Sequence, residues 1–471
     1  MLQELIAKEL KDSLVSLRFV VGLLFVITIY AAGSVLFCKK FDNQMQSYQQ
    51  SLKLYATALE SAKLGINRLF DQVIPITMEP HLAQLFASGN ETRYPRTIEI
   101  RASAPQRGRS YAGVNPEARS GNYKLSRYRD FDWAFFVGVV LSFIAIVMSF
   151  DAISRERETG TLRLQLSTRV LRSQILFAKY ISILVLLFVP IAIGSLLSIT
   201  VVLLLSGHNI LVMYPLEFVF WGALSFLYLS LFVWLGLWLS SSVSRSATSL
   251  TILFLLWIFF VDLGPYLGGM IAGRFYPVAS KEAFERQFLA ALNEMLTKAP
   301  KEYYEFYAGK ESEEGWQAIE GFFQKSDQTL EALTNARFAD LYNQALTAER
   351  FNLLSPYWAF RTIAETVSNT GLVNYKKFYE DVRRYRYQIR EFIRDRDLAD
   401  PGSKHRLYPL PKMRSISSMP VDPKSIPLFL GSHPDVPHRI EHALPAICEL
   451  LILNIITFLF ALHTFSRMDV R

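Results

Sequence analysis

Six long apolar runs divide this chain, and the polar stretches between them are very unequal in length. The runs lie near Leu17–Phe37, Trp133–Ile153, Phe177–Leu205, Leu216–Leu239, Ser249–Ile271 and Leu444–Thr464. Each is a predominantly apolar stretch of about 18 residues or more, the length an α-helix needs to cross a bilayer. Ahead of the first, Leu2, Leu5, Ile6, Leu10, Leu14 and Leu17 recur at steps of mostly three and four, with Gln3, Glu4, Lys8, Lys11 and Asp12 on the other face. That spacing predicts an amphipathic helix in the membrane interface, or a plain extension of the first span.

The pattern therefore predicts a mainly α, polytopic membrane protein with six transmembrane helices and an N-terminal interfacial amphipathic helix. Two large extracytoplasmic insertions complete it, mostly helical with some irregular or β structure. The divisions fall at 1–16 for the interfacial helix, 17–38 for the first span and 39–132 for the first insertion. Spans two to five occupy 133–271, with a loop at 154–174. The second insertion is 272–443, and the sixth span with a short tail is 444–471. In the first insertion Leu52, Leu54, Tyr55, Leu59, Ala62 and Leu64 continue a helical pattern outward, whereas 89–122 reads as loops or short strands. In the second, Lys281–Leu296, Glu313–Thr347 and Tyr375–Arg396 lack proline and read as helices, and the proline-rich 401–437 reads as irregular.

Charge sets the orientation. Lys8, Lys11 and Arg18 flank the first span, and Arg155, Arg157, Arg163, Arg169 and Arg172 crowd the loop after the second. Arg245 separates the fourth and fifth, and Arg467 and Arg471 follow the sixth. An even number of spans puts all of these on one face, which the positive-inside rule makes cytoplasmic, with both termini there. The expected location is the bacterial inner membrane. The net charge of +8 sits largely in these flanks, so it reads as topology and lipid contact rather than as a nucleic-acid surface. The first run is too long for a signal peptide's apolar core, and Phe37 before Cys38 is a poor lipidation context. Two cysteines, Cys38 and Cys448, exclude a disulfide framework but leave one bridge open.

Catalytic constellations are missing: the chain carries no phosphate-binding loop, no H-E-x-x-H and no G-x-S-x-G. His433, His438 and His442 have odd spacing in a proline-rich stretch, which reads as loop histidines rather than a metal site. No enzyme activity and no metal are expected. Ionisable residues inside spans are functional candidates, here Asp262 and Glu449 for a translocation path. Pro190, mid-span, is a hinge candidate. Arg383, Arg384, Arg386, Arg390 and Arg394, interleaved with Tyr379, Tyr385, Tyr387 and Phe392, form either an anion-binding surface or a solvated basic face over an aromatic stripe.

The most telling segment is Ser154-Arg-Glu-Arg-Glu-Thr-Gly-Thr-Leu162 between two spans. It resembles the loop after the second span in permease subunits of ABC transporters of the type-2 exporter class. The matching residues are Glu156, Arg157, Glu158, Gly160, Thr161 and Leu162, with Arg169, Arg172 and Lys179 following; Arg155 stands where that family often has glycine. Asp132-Trp133, Ser149-Phe-Asp-Ala-Ile153, Leu354-Ser-Pro356 and Asn369-Thr-Gly371 resemble the branch named for multicopper-enzyme maturation. Methionine, cysteine and histidine are not clustered as soft-metal ligands would be.

The resemblance implies that a separate cytoplasmic ATPase, in two copies, holds ATP and Mg and grips roughly Glu156 to Arg172. This chain itself then needs no cofactor. Glu156 and Glu158 would pair with basic groups on the ATPase, Gly160 would permit a tight turn and Thr161 would cap the helix after it. A second permease subunit, identical or related, completes the unit, and an envelope protein is a further partner. The implied function is export of a lipid, glycan or peptide, or else transmission of ATP-driven motion to envelope proteins with nothing transported.

Overall fold

The computed structural model describes residues 2–89, 96–103, 131–167, 170–310, 312–407, 415–432 and 436–468. Six helices in it are long and apolar enough to cross a membrane: Leu17–Leu64, Trp133–Glu158, Arg172–Ser206, Pro215–Ser242, Ser246–Leu263 and Pro437–Arg467. The protein is a mainly α, multi-pass membrane protein. The spans alternate in direction, so the bundle has a loop end, where Arg18 pairs with Asp151 and Arg172 with the Ser466 carbonyl, and a domain end, where the two long insertions gather.

Leu2–Leu14 is a separate helix with no buried residue of its own. The chain then turns at Ser16, whose hydroxyl accepts from the Phe19 amide at 3.3 Å and caps the first span. That helix runs unbroken from Leu17 to Glu60, 44 residues, or about 66 Å against about 30 Å of hydrocarbon. Its far half is therefore built into the domain end. The extension that Leu52, Leu54 and Tyr55 predict is one continuous rod with the span.

Two large hydrophobic cores result among the described residues, beside two small clusters around Phe288 and Trp316. The bundle core unites Trp133, Phe136, Tyr228, Phe232 and Trp234 from the spans with Leu82–Ala87 and Tyr357–Ala364 from the insertions. The domain-end core packs the first-span extension against two short antiparallel strands, β1 (Ile74–Thr77) and β2 (Thr97–Ile100). Ile74, Ile76, Ile98 and Ile100 of these strands face Tyr379, Tyr385 and Ile389 of the helix Leu372–Leu398. On the next helix, Glu313–Asn352, Phe338 stacks on Tyr379 with ring centroids 3.6 Å apart.

The arginine-rich helix keeps the aromatic packing stripe of the second reading, with Tyr379 and Tyr385 in the core, but its basic face is only partly solvated. Arg386 is buried and reaches Glu331 at 3.1 Å, and Arg390 reaches Asp327 at 2.6 Å. Half-buried Arg383 sits 3.8 Å from Glu331, while Arg384 and Arg394 stay exposed. The acids come from a neighbouring helix, a pairing that the spacing within one helix cannot show.

Among the helices without a counterpart in the sequence pattern are Lys301–Tyr307 and Pro356–Val367. In the second, every side chain from Pro356 to Thr366 is buried, so its polar face, Arg361, Thr362, Glu365 and Thr366, is enclosed along with its apolar one. It lies across two stretches of π-helix, Phe136–Leu141 in the second span and Ile258–Leu263 in the fifth. A π-turn disturbs the regular ladder and frees carbonyls. The Tyr228 hydroxyl donates to the Gly138 carbonyl at 2.7 Å, and the Ser355 hydroxyl donates to that of Phe260. A Cβ at Gly138 would sit 2.4 Å from the Tyr357 ring, so only glycine allows this approach. The helix is fixed further by Arg361, which reaches Glu365 at 2.7 Å and Asp132 at 3.4 Å, all three buried. Asp132 also accepts from the Phe135 and Ser88 amides, starting the second span. Both cysteines are free, Cys38 buried and Cys448 exposed.

Candidate functional site

The loop end gathers most of the residues that the sequence singles out. After its π stretch the second span is α-helical from Ser142 to Ser149, and two short helices follow, Ser154–Glu158 and Thr161–Ser167, before the third span begins at Arg172. The corner between them is Gly160, with φ of 75° and nothing within 4 Å of where a Cβ would stand. Its glycine thus serves the backbone rather than packing. Thr161 is the first residue of the second short helix; its hydroxyl donates to the Glu156 carbonyl at 3.3 Å. Leu162 is fully buried and pins that helix to the bundle.

Each acid of the segment is spent inside the molecule. Glu156 receives the Lys179 ammonium at 2.7 Å and the Gln165 amide at 3.0 Å. Lys179, 3% exposed, lies on the third span and also reaches Glu9 of the N-terminal helix at 3.2 Å. One buried cation therefore joins three elements distant in sequence. A charge in such a place is expensive unless paired, and two carboxylates pair it. Glu158 accepts from the Ser246 amide at 2.7 Å and its hydroxyl at 3.1 Å, placing a negative charge at the start of the fifth span, where the helix dipole favours it.

Backbone contacts complete the frame. The Ile153 and Ser154 amides both donate to the Ser240 hydroxyl, each at 3.0 Å, at the end of the fourth span. Asp151 pairs with Arg18 of the first span at 2.8 Å. Arg172 donates to the carbonyls of Phe465, Ser466 and Met468, capping the end of the sixth span. Arg157 is half-buried, and Arg169 lies outside the described residues. The segment 151–172 thus touches every other span and the N-terminal helix. Its outward side carries Arg155, Thr159, Arg163 and Leu164, the last 71% exposed.

The remaining candidates lie elsewhere. Asp262 is exposed in the π stretch of the fifth span. Glu449 sits half-buried in the sixth, and both its carboxylate oxygens are buried without a hydrogen-bond partner among the described residues. Pro190 is buried inside the third-span helix, which runs on through it. His442 pairs with Glu349 at 3.3 Å and His438 lies 3.9 Å from Glu441, while His433 is outside the described residues.

Lys179 was visible as a cation just inside an apolar run, where a lysine ordinarily snorkels to the interface, so its burial depended on the fold. Glu9, Ser240 and Ser246 carried no signal, because an acid on an amphipathic helix and a serine beside a span are ordinary.

No curated protein matches this sequence. A family model described as ABC-2 family transporter protein matches residues 3–470, essentially the whole length, including the loop end and both insertions. Members of that family are membrane subunits of ABC transporters and work with an ATPase. The chain belongs to the ABC-2 transporter family.

Proposed function

We propose that this chain is the permease subunit of an ATP-driven exporter, pressed by a separate cytoplasmic ATPase on the segment 154–167. The observation that carries the reading is the linkage of the surrounding stretch 151–172 to the other five spans and the N-terminal helix through Arg18, Glu9, Lys179, Ser240, Ser246 and Arg172. A push there is delivered to the whole bundle at once. The geometry alters which residues would meet the ATPase. Glu156 anchors the segment inward, and Arg155, Arg163 and Leu164 make the docking face, with Glu158 at its edge. ATP and Mg belong to the ATPase, and this chain binds neither.

Two ATPases call for two permeases. The first and fifth spans are only 28% and 17% buried. With the second span they frame an apolar groove of about 610 Å³, lined by Val21, Phe25, Val140, Phe143 and Trp257. A second subunit, identical or related, covers this face. Asp262 and Glu449 are polar points of the path for a lipid, glycan or peptide, and Pro190 is its hinge. Both termini face the cytoplasm of a bacterial inner membrane, so 39–132 and 272–443 lie outside. The segments that resemble the multicopper-maturation branch include Asp132 and Ser355, which here hold the domain end to the bundle.

One observation favours a second reading. The first-span helix is a single rod from Arg18 to the domain-end core, which suits transmission of motion to envelope proteins without transport.

The test is purification in mild detergent after expression with the native neighbours, followed by an ATP-hydrolysis assay, for wild type and for Glu156→Ala with Glu158→Ala. An ATPase should co-purify, and its association or turnover should fall in the variant. If no ATPase accompanies the wild type, docking at 154–167 is refuted. Stimulation of turnover by added lipids or peptides supports export; stimulation only by an added envelope protein supports transmission.

A further inference from the structure

The domain end holds a cavity of about 280 Å³ between the first-span helix, β1 and the segment around Phe429. Its position on the strand matters most. β1 and β2 pair in the register Ile74↔Ile100, Ile76↔Ile98, and the Met78 amide donates to the Arg96 carbonyl at 2.8 Å. In an antiparallel ladder alternate residues point their main-chain groups to opposite edges. Ile74, Ile76 and Met78 therefore serve β2, while the Pro75 carbonyl and both main-chain groups of Thr77 point to the other edge. These groups take no hydrogen bond among the described residues. Residues 75 to 79 line the cavity in succession, so it runs along the strand.

The walls are aromatic. Tyr55 is fixed by the Phe429 amide at 3.0 Å and the Tyr385 hydroxyl at 2.8 Å, and the Phe429 ring meets Phe378 edge-on with centroids 6.2 Å apart. Leu430 at the mouth is 85% exposed. Glu79 lines the same cavity, is exposed and makes no ion pair among the described residues. An unpaired strand edge, a side-chain-sized aromatic hollow and a free carboxylate together match an extended polypeptide. Main-chain hydrogen bonds to the edge supply affinity, and pockets for alternate side chains supply selectivity. A lipid headgroup has no row of amides to offer Thr77.

We propose that this cavity binds an extended peptide segment, which adds to β1 as a third strand, seats an apolar side chain between Tyr55 and Phe429 and sets a basic side chain against Glu79. The site stands whether or not an ATPase docks at the loop end, since peptide binding is measured on this chain alone. It has a mechanical consequence, because Tyr55 belongs to the same unbroken helix as Arg18, the partner of Asp151.

The experiment pans a phage-displayed random decapeptide library against the full chain in nanodiscs, counter-selecting on folded Glu79→Lys/Phe429→Ala chain. Enriched peptides should carry alternating apolar residues and a Lys or Arg. Synthetic copies should lose binding to wild type about tenfold when alternate amides are N-methylated in one register, and keep it in the other. The second measurement uses wild-type protein only, so a poorly folding variant does not blunt the test. No enrichment over the counter-selected chain, or binding indifferent to N-methylation in both registers, overturns the proposal. So would binding of phosphatidylethanolamine vesicles, but of no peptide, that Glu79→Lys abolishes.

Discussion

Two charged clusters, one at each end of the molecule, are built to different plans. At the domain end, Asp327 and Glu331 face Arg386 and Arg390 across two long adjacent helices. Acids and bases are nearly balanced, and the ion pairs join one pair of neighbouring helices, with Arg386 also donating to the Arg101 carbonyl at 2.9 Å. At the loop end a single cation, Lys179, is shared between Glu9 and Glu156, from three separate elements, and the acids are partly exposed, at 22% and 19%. The first plan fixes a shape. The second makes the position of one element depend on two others, which a site that must move requires. Burial sharpens the contrast, since Arg386 and Asp327 are 2% and 4% exposed and leave little room for rearrangement.

The comparison sets an order of expected effects. Removing one partner of a buried, hydrogen-bonded cluster costs about 3–5 kcal/mol, so Arg386→Met should produce the largest loss of stability. Thermal melting in detergent should show it, with ATPase association unchanged in the fraction that stays folded. Lys179→Met should cost less, about 2–3 kcal/mol, because water reaches Glu9 and Glu156 and relieves part of the penalty. Its signature is functional: ATP turnover of the assembled complex should fall at least tenfold, and Lys179→Arg should restore most of it. If Arg386→Met impaired turnover as much as Lys179→Met in folded protein, the division of roles between the two ends would be lost.

Ser240→Ala is expected to cost about 1–2 kcal/mol, because its hydroxyl is the acceptor for the Ile153 and Ser154 amides. Hydrogen exchange at those two amides should rise while the rest of the fourth span stays protected. The smallest effect concerns Glu320 at the domain end. Partial burial, and then the carboxylates of Asp397 and Glu313, push its carboxyl above the usual range. A carboxyl raised in the folded state penalises folding above its folded pKa, and the penalty vanishes below the unfolded value of about 4.3. Glu320→Gln should therefore stabilise the protein by less than about 1 kcal/mol at pH 7, and melting curves at pH 4 should show no gain.

Much of the architecture was readable along the chain because membrane spans are set by length and polarity alone. The helices Lys281–Thr297, Glu313–Asn352 and Leu372–Leu398 were readable for a related reason, since long proline-free runs of helix formers leave few alternatives. What periodicity could not supply is partnership. Arg386 and Arg390 look solvated until the helix carrying Asp327 and Glu331 is laid beside them. Glu156 looks like a surface acid until Lys179 and Glu9 converge on it. The Pro356–Val367 helix carries an ordinary start signal, Ser355 before Pro356, and a polar face of Arg361, Thr362, Glu365 and Thr366, but the burial of that face could not be read from periodicity. Within the candidate site, the turn at Gly160 could be read from the sequence, whereas the burial of Leu162 and the inward turn of Glu156 depended on the fold.

The central claim is that the loop end meets an ATPase through its exposed side, and a photocrosslinker placed at Leu164 tests it most directly. With p-benzoylphenylalanine there, and a control at Leu430 on the domain end, irradiation of cells expressing the native neighbours should give one adduct from position 164. Mass spectrometry should identify that adduct as a protein carrying a phosphate-binding loop, and Lys179→Met should weaken it. A chain that crosslinks to no nucleotide-binding protein from position 164, while its domain end does, would contradict the account.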